Sequence, residues 1–224
     1  MSFTEELSAL LPADLPNRDA CISISARHLD LIVEANQYFN LTRIVSPREA
    51  AIKHVLDSIL PWRLFAGARH VVDAGTGAGY PAIPLAAVLP EVRFTMLEAT
   101  QKKARFVESA IASLGLANAE IFPERAEDWL PKNTADIVTA RAVAPLHKAA
   151  QLFALPASRG ARVLLYKGPD AEAEIAEALF EAKKRKVTMT ILERYELPDG
   201  MGTRTIVEIS KVKVGQPFPL PSQQ

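Results

Sequence analysis

Residues 70–80 read His-Val-Val-Asp-Ala-Gly-Thr-Gly-Ala-Gly-Tyr, an apolar run that ends in an acid and passes into Gly75, Gly77 and Gly79. Glycine at alternate positions lets the backbone bend sharply and approach a ligand with no Cβ in the way, so this is a nucleotide-binding turn. Pro81 and Pro84 follow at once, and proline suits the first turn of a helix, where its missing N–H costs nothing. The stretch PAIPLAAVL is therefore expected to be a helix aiming the positive end of its dipole at the ligand. A second unit repeats the plan: an apolar strand over 92–97 ends in Glu98, and a long amphipathic helix follows. A carboxylate about 20 residues beyond such a turn can accept both hydroxyls of a ribose, in charge-assisted bonds of roughly 1.5–3 kcal/mol each. The plainer reading of Glu98 is a solvated strand-end acid. Asp73 also has two readings, a contact to a ligand amine or an acceptor that orders its own turn.

The spacing narrows the ligand. A dinucleotide fingerprint needs Gly or Ala at its third place, where this chain has Tyr80. A phosphate loop needs Gly-Lys-Ser/Thr, which does not follow. What remains is the Gly-x-Gly-x-Gly loop of class I methyltransferases, suited to S-adenosylmethionine, which has a carboxylate and a sulfonium but no phosphates.

The elements that must position these residues begin with helical stretches over 3–11, 26–38 and 47–60, the last opened by Ser46-Pro47. From His70 strands alternate with helices, the later strands being 119–122, 136–142, 161–167, 187–197 and 203–212. This pattern predicts an α/β, Rossmann-like, doubly wound and mostly parallel seven-stranded sheet of the class I methyltransferase type. The PDGMGT turn makes the last two strands a C-terminal antiparallel hairpin. Residues 1–65 are expected to form an N-terminal helical extension packed on the core, 66–213 the methyltransferase domain and 214–224 a flexible tail. Ligands of such sheets lie at the carboxyl ends of the strands, where the third strand delivers Ala126 and Glu127, the fourth Arg141 and the fifth Lys167. Arg141 can clamp a carboxylate or a phosphate in a bidentate fork; its plainer reading is a surface salt bridge.

Composition sets bounds. A chain of 224 residues, 49% apolar, is long enough for one α/β domain with a buried core and a modest extension. Twenty-six basic side chains balance 26 acidic ones, so nucleic acid would have to be met by a local patch, not by bulk charge. The lone Cys21 excludes an internal disulfide and a cysteine-rich zinc site, and no metal is expected. The acidic N-terminus is unlike a signal peptide and no apolar run reaches membrane-spanning length, so a cytoplasmic protein without a membrane partner is expected, as a monomer.

Taken together, DAGTGAGYPAIPLA, LEATQKKARFVESAIASLGLAN, ERAED, ADIVTARAVAPL and LLYKG resemble the bacterial 16S ribosomal RNA guanine-N7 methyltransferases, once called glucose-inhibited division protein B. Order and spacing match along 70–168, and NLTRIVSPREAAIKHVLDSI resembles the helical N-terminal region of that family. The resemblance implies that Gly75, Tyr80, Ala126, Glu127 and Arg141 bind S-adenosylmethionine, with Glu98 at the ribose and Lys167 toward the RNA. Ala82 departs from it, standing where the family usually has glycine.

The residues can be weighed for chemistry independently. Methylation of a pyrimidine at C5 needs a cysteine nucleophile, and Cys21 lies far from any strand end. Exocyclic amine methylation commonly uses an Asp/Asn-Pro-Pro-aromatic motif, which the chain lacks. Guanine N7 carries no proton at neutral pH, so positioning by Arg141 and Lys167, with no general base, is enough. For 16S ribosomal RNA or the small subunit, Lys102, Lys103, Arg105, Arg125 and Lys167 are the expected phosphate contacts, and Tyr80 or Tyr166 the face on which guanine stacks. A solvated basic helix start is the plainer reading of Lys102 and Lys103. The run 183–186 is expected to end a helix, and His54 and Asp57, at i and i+3, to share a structural hydrogen bond. Two other functions stay open: a methyltransferase of another acceptor, and a non-catalytic RNA-binding assembly factor on the same scaffold.

Overall fold

The computed structural model describes residues 1–142 and 144–212. Among them seven strands form one sheet in the order β3-β2-β1-β4-β5-β7-β6. The strands are β1 His70–Ala74, β2 Arg93–Leu97, β3 Ala119–Phe122, β4 Ile137–Arg141, β5 Arg162–Lys167, β6 Val187–Glu196 and β7 Thr203–Lys211. The first five run parallel, and β7 lies antiparallel to both β5 and β6. Central strands covered on both faces are mainly apolar, and β1, β4 and β5 are buried along most of their length, with Asp73 and Thr139 the buried polar exceptions. Strand order reverses between β1 and β4, where such sheets bind ligands. Register brings the carboxyl ends into line: Asp73 lies beside both Met96 and Thr139, Leu97 beside Phe122, and Arg141 beside Tyr166.

Helices α5 Ala82–Val88 and α6 Gln101–Leu114 cover one face, packing on Val71, Phe94, Met96 and Leu164. The other face, carrying Val72, Val138, Val163 and Val207, is covered by α8 Leu146–Ser158 and α9 Ala171–Arg185. The acids Glu172 and Glu174 open α9 and its basic run closes it, as the helix dipole favours. Ala82 is wholly buried as the first residue of α5, so the extra methyl sits within the core.

The N-terminal helices are α1 Phe3–Leu10, α2 Arg18–Asn36, α3 Pro47–Ala50 and α4 Asp57–Ile59, with a π-helical turn, Ala51–Leu56, between the last two. They build a core of their own from Leu7, Leu29, Ile32, Val55 and Ile59, which closes over Tyr80, Ala87 and Val88. Helix α2 begins eight residues before the expected 26, because Cys21-Ile22-Ser23-Ile24-Ser25 alternates in strand period while its packing is helical. No described helix is long and apolar enough to cross a membrane. The expected tail, 214–224, lies outside the described residues.

Candidate active site

The glycine turn is tied to the end of β2. The amides of Gly75 and Thr76 donate to Leu97 O at 2.9 and 3.0 Å, and that of Gly77 donates to Glu98 Oε2 at 3.1 Å. Glu98 Oε1 accepts from Thr100 N at 2.7 Å, so this buried acid is not solvated. Each of its oxygens keeps a lone pair for a hydroxyl. Asp73 is completely buried, and neither carboxylate oxygen makes a hydrogen bond of full geometry, although Thr76 and the Ala82 amide of its own turn lie close by. Burial pushes its carboxyl up to about 7, against the pull of Thr76, Arg141 and the Ala82 amide.

The three glycines serve different ends. At Gly77, with φ of +63°, an added Cβ would meet nothing within 4 Å. Gly75 is exposed, with φ of +79°. Gly79, expected to bind the ligand, is instead buried: its Cβ would strike Ile83 Cδ1 at 2.5 Å and His28 Cε1 at 3.1 Å. Its bareness serves the packing of α2 and α5.

Tyr80 and Tyr166 do not offer a stacking face. The Tyr80 ring is buried, stacked on His54 at 4.7 Å, tilted against His28 at 5.0 Å, and overlaid by the Arg141 guanidinium at 5.3 Å. Tyr166 is buried and donates its hydroxyl to Ser58 O at 2.7 Å. The N-terminal helices cover both. His28 Nε2 donates to Ala78 O at 2.9 Å, and burial lowers its pKa to about 3. Burial and the nearby Arg141 lower that of His54 to about 4.

Arg141 is held from the π-helical turn: its Nη1 donates to Lys53 O at 2.8 Å and lies 3.5 Å from Asp57 Oδ2. This is an internal tether and not a surface salt bridge. π-Helical turns recur at functional sites, and around this one the expected His54–Asp57 hydrogen bond does not form. His54 Nε2 faces Thr42 Oγ1 and Ile44 O, while Asp57 receives Arg204, Tyr195 and Arg141.

Lys167, expected toward RNA, is turned inward to Glu174 Oε2 at 2.7 Å and Ala144 O at 3.2 Å. Glu174 also accepts from Leu146 N at 3.0 Å, so the pair fixes the start of α8. Ala126 and Glu127 open the short helix α7 Ala126–Trp129, which follows β3, and the Glu98 amide donates to Phe122 O at the end of that strand at 3.2 Å. Lys102 and Arg125 are exposed and Lys103 is half-buried. Two features had no sequence signal, the Asp57 cluster, whose members stand up to 147 residues apart, and the burial of the site tyrosines.

Sheet order, the glycine turn at the β1/β4 reversal and the acid closing β2 define a class I methyltransferase. The Bacillus cereus O-methyltransferase solved with SAH shares the fold, with a TM-score of 0.58 and 20% identity, over 91% of this chain and 94% of that one. Residues 22–199 match the family described as GidB, rRNA small subunit methyltransferase G, and the chain belongs to that family. A relative from Solibacter usitatus, named ribosomal RNA small subunit methyltransferase G, is 71% identical over 93% of this chain and its own full length. One of the same name from Symbiobacterium thermophilum is 40% identical over 82% of this chain and 79% of its own.

Proposed function

We propose that the protein transfers a methyl group from S-adenosylmethionine to N7 of a guanine in 16S ribosomal RNA. The observation that carries the donor site is the pairing of a buried Asp73 carboxylate, without a hydrogen bond of full geometry, with the open side of Gly77. Those residues fit the donor. In this reading Asp73 takes the ammonium of its methionine part and Glu98 the ribose hydroxyls. Arg141 stands for the carboxylate, and the start of α7 for the adenine edge. When bound, S-adenosylmethionine supplies an electrophilic methyl on a sulfonium.

Family membership supports the acceptor, and so does the engagement of the site's other reactive side chains once Asp73 is given to the donor's ammonium. Glu98 is held by two amides and Lys167 by Glu174, while Cys21 is buried with its thiol pushed up to about 11. Transfer to N7 needs no proton removed, so the protein's work is to hold the guanine edge in line and exclude water. Purified protein, methyl-labelled donor and small-subunit RNA should yield label in N7-methylguanosine after digestion to nucleosides. Label in another nucleoside would exclude N7, and RNA left unlabelled both naked and in assembled small subunits would exclude an RNA acceptor.

The Asp73 reading has a pH signature. Its carboxyl titrates near 7 in the free protein, so at lower pH a proton must leave before an ammonium can bind. Donor affinity should therefore fall as pH drops below 7, by up to about tenfold per unit. Asp73→Asn should bind more weakly at pH 7.5 and show a flat profile by calorimetry. A wild-type profile that is flat between pH 7.5 and 5.5 would remove Asp73 from the site.

A further inference from the structure

With Tyr80 and Tyr166 covered, an aromatic platform for RNA has to come from elsewhere. Among the described residues the exposed large apolar side chains are Met1, Val33, Tyr38, Val45, Leu155 and Phe180. Three of them, Val33, Tyr38 and Val45, fall at the end of α2 and on the loop joining it to α3, and Tyr38 is 82% exposed.

This loop is firmly built. Asn36 Oδ1 accepts from Leu41 N at 2.8 Å and Thr42 N at 3.3 Å, and its Nδ2 donates to Thr42 O at 2.8 Å. Leu41 is buried in the N-terminal core. Thr42 Oγ1 accepts from Ile44 N at 3.1 Å and lies 3.2 Å from His54 Nε2. That histidine stacks on Tyr80, under Arg141. The loop is thus clamped, through one histidine, to the aromatic ring that closes the glycine turn.

We infer that Tyr38 is a stacking platform for an unpaired base of the RNA acceptor, with the exposed Arg43 of the same loop for phosphate; the inference rests on the RNA methyltransferase reading above. A ring held outward by a preformed loop loses little freedom when a base stacks on it, and stacking tolerates any base. The exposed Asn40 and Arg43 interrupt the apolar surface, which suits a base and its backbone better than the continuous apolar core of a protein contact. Phe180 is 78% exposed as well, but it stands on α9, which covers the opposite face of the sheet, and so provides a matched control.

The test compares the KM for small-subunit RNA, the donor affinity and the melting temperature of Tyr38→Ala, Tyr38→Phe and Phe180→Ala. Tyr38→Ala should raise the KM for RNA about five- to hundredfold, the range set by one stacked base, with donor affinity and melting unchanged. Tyr38→Phe and Phe180→Ala should match the wild type. A normal KM in Tyr38→Ala, or equal losses in Tyr38→Ala and Phe180→Ala, would overturn the inference while leaving the methyltransferase reading intact. A loss seen only with assembled subunits and not with naked RNA would assign Tyr38 to a ribosomal protein instead. Wild-type protein that transfers nothing to naked RNA or to assembled subunits would bring down both readings.

Discussion

Gly77→Val should abolish S-adenosylmethionine binding, and Gly67→Val should leave it within about twofold of the wild type. The two glycines are matched in backbone conformation and in the room beside them. Each has a positive φ, +63° and +82°, and an added Cβ at either would meet nothing within 4 Å. Valine in a left-handed conformation costs about 1–2 kcal/mol at both places, so backbone strain does not separate them. What separates them is the use of the open space. Beside Gly77 it is bounded by Glu98, whose carboxylate takes the Gly77 amide, and two methyl groups there would fill the room left for a ligand. Gly67 lies in the connection before β1, at the opposite end of that strand from the turn. Calorimetry with the donor at about a hundredfold over the wild-type Kd should show heat for Gly67→Val and none for Gly77→Val. Loss of binding in both would make strain the cause, and binding in both would move the site away from the turn.

How much of this was legible in the sequence depended on whether a feature is local. The glycine turn and Glu98 announce themselves because a sharp bend and a strand-end acid are properties of neighbouring residues, and the buried strands because β-branched runs can satisfy a covered sheet. The closing hairpin was legible from its Pro-Asp-Gly turn, which the structure forms at Pro198–Gly200. The π-helical turn was not, since its hydrogen-bond shift of one residue leaves no mark on hydrophobic periodicity. Gly79 looked like its two neighbours because a glycine needed for packing and one needed for a ligand are the same letter. Lys167 looked exposed because its partner Glu174 belongs to the following helix, brought back only by the crossover. Tyr80 and Tyr166 looked available for the same reason. The helices that cover them come from the other end of the chain, and only tertiary packing places them there.

Asp57→Ala should cost about 3 kcal/mol of stability, seen as a fall of roughly 6–12 °C in melting temperature. Asp57 is 1% exposed and joins three strands to the N-terminal helices. Its Oδ1 accepts from Arg204 Nε on β7 at 2.9 Å and from the Tyr195 hydroxyl on β6 at 3.2 Å, while Oδ2 faces Arg141 Nη1 on β4 at 3.5 Å. Removing the anion leaves two guanidinium groups without their counter-charge. Breaking a fully buried pair costs about 3–5 kcal/mol. Here the Arg141 and Arg204 side chains keep 18% and 25% of their exposure, so water screens them and the lower end applies. Because much of the penalty is a stranded cation, Asp57→Ala combined with Arg204→Ala should cost less than the sum of the two single changes. Urea denaturation of the four proteins measures that coupling, and strict additivity would show that Asp57 and Arg204 do not depend on one another. Donor affinity should fall in Asp57→Ala too, since Arg141 would keep only Lys53 O to hold its guanidinium over Tyr80. In Arg204→Ala, where Asp57 still faces Arg141, affinity should change less, so that the same cycle separates the stability of the hairpin from the placing of the clamp.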